Sequence, residues 1–425
     1  MNGVTAAKKD LIYYGWWVLG TGAVAEILSI GSTSYSAGFF VLPLQKEFGL
    51  SRASASLPVL ILYLGAVCFA PFAGRLIDRY PIRWIASLGA LLFAASFALI
   101  AAISSPPLMA LLLLLPAAAG FALFGPIMPP TLAARWFYRN RGLAQGIAAI
   151  AASGGGLIVA PLVSKTITAY GWRIALAGEA AVLFVLVVGL SLLILKDNPI
   201  RAGLGENKEN QGRPDAALLA VHAGHGGAPS FRGWREILGH AGFWGPSLLL
   251  ATASGVGEAI VVAVPPYGQQ LGIATALLAG LIALFAAATA LSKIVAGVLA
   301  DRLDKRILMF CFALGMPLAF IMLSWFSGYS ALVAASCFAG TATGGILPVT
   351  TALLQTRFGA ARFGAIMGCT YALMGTAAIL AVEFSATLFD LTGGYHQAFV
   401  WLLAICVVLI LISALIDRRT AQFMA

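Results

Sequence analysis

Apolar stretches of about 20 residues recur along the whole sequence, and they constrain the fold more than any other feature. There are twelve, over residues 14–42, 54–76, 84–104, 107–133, 143–166, 173–195, 243–266, 272–300, 307–326, 330–354, 363–387 and 397–416. Each is long enough for a helix to cross a bilayer. Only 10% of the residues are charged, against about 25% in soluble domains. The sequence therefore predicts an all-α membrane protein with twelve transmembrane helices, numbered spans 1 to 12.

The net charge of +10 is explained by where the 26 Lys and Arg residues lie. If both termini are cytoplasmic, most of these residues fall in inner loops, among them Lys8 and Lys9 before span 1. The outer loops then hold Lys46, Arg52, Lys165 and Arg173. This asymmetry satisfies the positive-inside rule. We expect both termini on the cytoplasmic side of the cell (inner) membrane, and the basic balance requires no nucleic-acid partner.

A polar segment, residues 196–242, separates the first six spans from the last six. It is too polar and too rich in Gly and Asn to form a core, so we expect a cytoplasmic linker. Near its end, Phe231, Trp234 and Leu238 stand at helical spacing, which predicts a short helix on the inner membrane surface. The predicted domains are an N-terminal six-helix bundle (1–195), the linker (196–242) and a C-terminal six-helix bundle (243–425).

The two halves carry the same sequence signals in the same order. The loop after span 2 reads 74-GRLIDRYPIR-83, and five of its residues recur 223 residues later in 297-GVLADRLDKR-306, after span 8. After span 4 stands 135-RWFYRNRGLAQG-146, and three of its residues recur at a shift of 222 in 357-RFGAARFGAIMG-368, after span 10. Two signals repeated at nearly the same distance indicate two bundles related by an axis along the membrane normal.

The G-x-L-x-D-R-x-x-x-R pattern after spans 2 and 8 resembles the most specific motif of the major facilitator superfamily, and the resemblance covers all twelve spans. It implies two six-helix bundles related by a pseudo-two-fold axis. A carboxylate at a helix end can pair with arginines and with a facing helix N-terminus, which predicts a latch that closes the cytoplasmic side. The alternative is that these charges only set the topology. The predicted latch residues are Asp78, Arg75, Arg79, Asp301 and Arg302.

A narrower resemblance involves three segments. The segments 14-YGWWVL-19, 34-SYSAGFFVLPL-44 and 135-RWFYRNRGLAQG-146 look like the oxalate/formate antiporter and monocarboxylate porter branch. Carriers of that branch bind the substrate carboxylate with an arginine in span 8. The resemblance therefore implies a proton-coupled carrier of small organic anions, with a small carboxylate and a proton as its partners.

Lys293 is a lone positive charge within span 8, four residues before Gly297. A charge at bilayer depth costs ~2.5–3.5 kcal/mol on insertion scales and by default faces the bundle interior. The branch has its arginine at this spacing from the glycine, so the resemblance implies that Lys293 is the anion anchor. The alternative is a structural pair with a membrane glutamate. Lysine lacks the bidentate fork of arginine, so we expect a different substrate geometry.

Four acidic residues also lie in predicted spans: Glu26, Glu179, Glu258 and Glu383. Buried carboxyl groups are natural proton carriers because burial disfavours their charged form. Glu258 is the first candidate for proton coupling, since span 7 adjoins span 8, and Glu26 near the middle of span 1 is the second. Glu179 and Glu383 fall nearer the outer ends, where a structural role is expected.

The predicted substrate-binding set adds to Lys293 the side chains of Tyr35, Ser34, Phe124 and Tyr371. A buried phenol needs a hydrogen-bond partner, which favours the two tyrosines as cavity residues, whereas an aromatic ring in an apolar helix is more often packing. The branch usually has a lysine in span 1, where 31-GSTSYS-36 offers only hydroxyls. The branch also often has an aspartate four residues before its arginine, where this sequence has Thr289. The resemblance therefore implies that Glu258 or Glu26 takes the place of the usual proton site.

Other functions stay open at this point. They are carboxylate/carboxylate exchange of the oxalate/formate type, efflux of cationic drugs, and a membrane sensor that carries no flux. Efflux of cations would use the membrane carboxylates but leaves Lys293 unexplained. No nucleophile–base pair or metal-ligand spacing is visible, and no glycine run continues into the Gly-Lys-Ser/Thr of a P-loop. The sequence thus predicts no enzyme, no metal and no cofactor, and the fold suffices as a monomer.

Overall fold

The structure, a computed structural model, describes residues 13–50, 52–197, 199 and 234–424. Within these ranges the chain forms helices joined by short connections and contains no strand. The first half consists of Tyr14–Tyr35 with Ala37–Phe48 (span 1), Arg52–Arg79 (span 2), Ile82–Ala102 (span 3), Pro106–Trp136 (span 4), Arg141–Tyr170 (span 5) and Trp172–Ile194 (span 6). The second half consists of Ala241–Gln270, Thr275–Ala300, Lys305–Trp325, Tyr329–Phe358, Phe363–Thr392 and Tyr395–Met424 (spans 7 to 12).

The number of spans agrees with the sequence prediction. Among the described residues, eleven helices are long and apolar enough to cross a membrane, and the bent pair of span 1 brings the count to twelve. The prediction of an all-α membrane protein with twelve spans is confirmed. Most helices are longer than the apolar stretches that predicted them, and span 7 continues to Gln270 through the Pro265–Pro266 pair.

Span 1 bends by 45° where the sequence predicted one uninterrupted helix. The bend lies at a π-helical turn, Gly31–Tyr35, where the Ser36 N–H donates to the Gly31 carbonyl at 3.0 Å. A π turn adds one residue to the helical repeat, so it changes the direction of the side chains that follow it. Gly31 is needed there because a Cβ would come within 2.6 Å of the Val159 side chain of span 5.

The hydrophobic core consists of two clusters, one mainly in the N-terminal half that also includes Phe363 and Ile366 of span 11, and one within the C-terminal half. The N-terminal core contains Phe93, Phe124 and Trp136, and the C-terminal core contains Phe320 and Phe399. Across the halves, span 2 packs against span 11 and span 5 packs against span 8. These are the helices whose ends carry the repeated motifs.

The described end of the linker forms a short helix, Trp234–Gly239, where the sequence predicted one. Its buried position is Ile237, whereas Leu238, predicted on the apolar face, is 41% exposed. Phe231 lies outside the described residues, as does most of the segment 196–242. The domain boundaries therefore stay a prediction.

Candidate functional site

Two aspartates join the halves at the predicted cytoplasmic end. Asp301, just after span 8, accepts hydrogen bonds from the backbone N–H groups of Gly142 at 2.6 Å and Leu143 at 2.9 Å, at the start of span 5. Asp78, near the end of span 2, accepts them from Gly364 at 3.0 Å and Ala365 at 2.7 Å, at the start of span 11. Each carboxylate thus caps a helix of the opposite half.

The physical basis of both contacts is the same. The first N–H groups of a helix have no partner within the helix and carry a partial positive charge, so a carboxylate binds there favourably. The glycines allow the helices of the two halves to approach closely, because a side chain at these positions would clash. A Cβ atom added to Gly297 would lie 2.6 Å from the Gly142 carbonyl oxygen, and one added to Gly364 would lie 2.7 Å from the Gly74 carbonyl oxygen. The repeated glycines of the motifs are therefore positions of close helix contact.

The arginine beside Asp78 is not one of those predicted from the sequence. Arg135, at the end of span 4, donates to the Ile77 carbonyl at 2.7 Å and to Asp78 at 3.2 Å. Arg75, Arg79 and Arg302 are exposed instead. The prediction named the arginines adjacent in sequence and missed the buried one from another span.

The repeat counterpart of Arg135 has a different partner. Arg357, at the end of span 10, forms an ion pair with Asp417 of span 12 and donates to the Gly242 carbonyl at 3.0 Å. Arg306 approaches the same carboxylate at 3.7 Å. The sequence analysis did not single out Asp417, although an aspartate directly after the 20 uncharged residues of span 12 (397–416) is a visible signal.

A buried glutamine adds a third link between the halves. Gln355 of span 10 donates to the carbonyls of Ala134 at 3.0 Å and Phe137 at 3.2 Å, both at the end of span 4. Gln145 of span 5 lies 3.4 Å from the Gln355 side-chain oxygen and donates to the Pro130 carbonyl at 3.0 Å. With the two aspartate caps, these bonds close the predicted cytoplasmic end.

Lys293 lies between the halves, as expected for a residue of the central site. It is 7% exposed, and its ammonium donates to the Ala149 carbonyl of span 5 at 2.9 Å. It also interacts electrostatically with Glu26 of span 1, which is 5% exposed. Tyr371 of span 11 lies within electrostatic range of Glu26. The structure thus brings Lys293, Glu26 and Tyr371 together.

Glu258 belongs to a second group. It is exposed although it lies inside span 7, and it lies within electrostatic range of Tyr35 and Tyr63 in the other half. The Tyr63 hydroxyl forms a hydrogen bond with Ser34 and lies 3.5 Å from the Thr33 hydroxyl. This group contains the predicted residues Ser34, Tyr35 and Glu258 and adds Tyr63, which sequence reasoning missed.

Phe124 belongs neither to the group around Lys293 nor to the group around Glu258. It is fully buried in the N-terminal core, where its ring packs edge-on against Phe93 with the centroids 5.6 Å apart. Glu179 lies beside Ser32 of span 1. An apolar cavity of about 100 Å³ lies nearby, at the predicted outer end of the N-terminal half, and its polar lining consists of Ser32 and Thr33. None of the predicted site residues lines this cavity.

Two relatives match most of the chain. One is the uncharacterized MFS-type transporter YcxA of Bacillus subtilis (strain 168), 24% identical over 430 residues, which cover 95% of this chain and 94% of the relative. The other is an MFS-type transporter of Gibberella moniliformis (strain M3125 / FGSC 7600), 23% identical over 377 residues, which cover 84% of this chain and 82% of the relative.

Solved structures share the fold. The proton:xylose symporter XylE bound to 6-bromo-6-deoxy-D-glucose superposes with a TM-score of 0.73 at 16% identity, covering 94% of both chains. A bacterial homologue of the iron transporter ferroportin in its outward-facing state gives 0.70 at 12% identity, covering 95% of this chain and 99% of that one. The sequence model of the Major Facilitator Superfamily matches residues 22–284 and 253–422. The chain consists of two repeated bundles, each of which caps a helix of the other, and the family match extends along nearly its whole length. The chain therefore belongs to the Major Facilitator Superfamily of membrane transporters.

Proposed function

We propose that the protein is a proton-coupled secondary transporter of small organic anions, monocarboxylates in particular, working by alternating access. The observation that carries this proposal is the position of Lys293. Its ammonium is buried between the halves, bonded to the Ala149 carbonyl, and the one carboxylate described near it is Glu26. A desolvated cation at this place is stabilised when an anionic ligand joins it.

The proton is assigned to Glu26 rather than to Glu258, because Glu26 is the carboxyl that interacts with Lys293. A substrate carboxylate that binds Lys293 competes with Glu26 for the same charge. Glu26 then loses its cation and takes up a proton, since an unpaired buried carboxylate is costly. This exchange links substrate binding to protonation.

The three links at the predicted cytoplasmic end support alternating access. Asp78, Asp301 and Gln355 all bond across the halves, so rocking of the halves must break all three. XylE, a proton:xylose symporter, has the same fold. We do not extend the sugar substrate of XylE to this protein, because a neutral sugar would not explain a buried lysine.

The test is counterflow into proteoliposomes that contain the purified protein, with lactate, pyruvate, acetate and oxalate as anions and a cationic dye as the comparison. We expect saturable counterflow of monocarboxylates, with uptake accelerated by an inward proton gradient. Exchange of oxalate for formate without any effect of the gradient would favour the antiporter alternative. Counterflow of the dye alone would favour cation efflux, and no flux of any compound would favour a sensor.

A further inference from the structure

The central region contains a second polar group that the anion site does not use. Ser34, Tyr35 and Tyr63 come from spans 1 and 2, and Glu258 faces them from span 7 in the other half. Among the described residues, no lysine or arginine forms an ion pair with Glu258. A carboxylate exposed inside a membrane-spanning helix without a cation has capacity to accept a hydrogen bond or a positive charge from a ligand.

The π turn of span 1 explains how Ser34 and Tyr35 reach this group. Thr33 is buried and lines the apolar cavity of the N-terminal half, whereas the next two residues are exposed. Ser34 bonds the Tyr63 hydroxyl, and the Tyr35 ring lies against Gly156 of span 5. The extra residue of a π turn produces such a change of direction, and π turns are frequent at functional sites.

Span 5 gives the distance between the two polar groups. Lys293 bonds the carbonyl of Ala149, and a Cβ on Gly156 would lie 2.8 Å from the Tyr35 ring. These two positions of span 5 are seven residues apart, which is two helical turns, so they lie on the same face and ~10 Å apart along the axis. The two groups therefore lie ~10 Å apart along span 5, with a cation at one end and hydrogen-bonding oxygens at the other.

We propose that the substrate has two recognition groups, a carboxylate at one end and a hydrogen-bond donor, a hydroxyl or an amine, at the other. The carboxylate binds Lys293, and this part rests on the proposed function. The donor binds the carboxylate of Glu258 and the hydroxyl of Tyr63, with Tyr35 packing beside them. An unsubstituted short acid such as acetate fills only the first position.

Three carboxylates of similar shape test this proposal directly. They are phenylpropanoate, para-hydroxyphenylpropanoate and para-methoxyphenylpropanoate, of which only the second carries a donor at the end distant from its carboxylate. Their dissociation constants are measured by titration calorimetry with the purified protein in nanodiscs. We expect the hydroxy compound to bind about tenfold more tightly than either control, since a hydrogen bond to a charged acceptor is worth that much.

The variants Glu258→Ala and Tyr63→Phe should reduce this ratio toward one, because each removes an acceptor for the hydrogen-bond donor of the hydroxy compound. Glu383→Ala removes another membrane carboxyl and should keep the ratio of the parent protein. Because each ratio compares ligands on the same preparation, partial misfolding of a variant does not alter it. Equal binding of all three acids by the parent protein, or a ratio kept in both Glu258→Ala and Tyr63→Phe, would overturn the two-group substrate.

The same titrations separate this inference from the proposed function. If Lys293 is not the anchor, Lys293→Ala keeps its affinity for phenylpropanoate, or the parent protein binds none of the three acids, and both proposals fail. If Lys293 is the anchor but the second recognition group does not exist, all three acids bind the parent protein with equal affinity. Lys293→Ala then binds none of the three.

Discussion

Asp301 accepts a hydrogen bond from the backbone N–H of Gly142 at 2.6 Å, and this bond joins the two halves of the protein. The repeat-related bond, from Gly364 to Asp78, measures 3.0 Å. Hydrogen bonds to charged groups are each worth ~1.5–3 kcal/mol. The positive end of a helix also favours a carboxylate over a neutral amide. The two caps therefore stabilise the state in which the predicted cytoplasmic end is closed.

Asp78→Asn and Asp301→Asn should each slow transport several-fold while leaving substrate affinity within a few fold of the parent. The amide keeps an acceptor oxygen but loses the charge that binds the helix N-terminus, so the balance between the closed and open states shifts. The measurement is the initial transport rate in proteoliposomes beside ligand titration of the purified protein.

Asp304→Asn is the matched control for this prediction. Asp304 also caps a helix N-terminus, through the N–H of Arg306 at 2.7 Å, but that helix follows directly in the same half. Its loss should leave the transport rate near that of the parent. If all three variants transport at the parental rate, the crosswise caps do not control the cycle.

Sequence reasoning identified the features that are periodic or repeated. The twelve apolar stretches and the doubled motif specified the fold and placed Asp78 and Asp301 at equivalent helix ends. It could not choose Arg135 over Arg75 as the partner of Asp78, because that choice depends on how span 4 packs against span 2. It also ranked Glu258 before Glu26 for proton coupling because span 7 adjoins span 8 in sequence, and the sequence does not show how the spans are rotated about their axes.

Glu26→Gln should abolish accumulation driven by a proton gradient while exchange of substrate across the membrane continues. The glutamine cannot take up the proton that substrate binding transfers to Glu26, but the anion site at Lys293 remains. The assay compares uptake with and without an inward proton gradient, and then counterflow in its absence. Glu179→Gln serves as control, since Glu179 lies beside Ser32, whereas the carboxyl that interacts with Lys293 is Glu26. Normal gradient-driven accumulation by Glu26→Gln would remove Glu26 as the proton carrier.

Asp417→Asn should lower the unfolding temperature of the purified protein by several degrees. Asp417 and Arg357 are both nearly buried, so removing the carboxylate charge leaves a buried guanidinium without its ion pair, at a cost of ~3–5 kcal/mol. Arg306→Gln is the control: Arg306 is 35% exposed and lies 3.7 Å from the same carboxylate, and exposed pairs contribute little. Equal unfolding temperatures for the parent and Asp417→Asn would show that the pair does not stabilise the C-terminal half.

The segment 196–242 is predicted on the cytoplasmic side. In a background without the five native cysteines, Lys208→Cys should resist a membrane-impermeant thiol reagent in intact cells and react after permeabilisation. Lys46→Cys, in a predicted outer loop, should react in intact cells. This prediction follows from the distribution of Lys and Arg residues. Ready labelling of Lys208→Cys in intact cells would reverse the topology.

Lys293→Ala should reduce the affinity for carboxylate substrates more than a hundredfold. Loss of one partner of a desolvated charge pair costs roughly 3–5 kcal/mol, and each ~1.4 kcal/mol is tenfold in affinity. Lys293→Arg should keep part of the function, because it retains the positive charge and introduces the arginine found in the branch that this sequence resembles. Its planar fork should shift the preference toward other carboxylates. Lys165→Ala removes an exposed lysine of span 5 and should bind like the parent.

The double variant Glu26→Gln with Lys293→Ala decides between an anchor and a structural pair. If the pair is only structural, Lys293→Ala lowers the unfolding temperature because Glu26 is left buried without a cation, and neutralising Glu26 restores both stability and transport. If Lys293 is the anchor, the double variant regains stability but still binds no carboxylate, since the cation that holds the substrate is gone. Affinity is measured on the folded fraction of each variant, and parental affinity in Lys293→Ala would rule out the anchor.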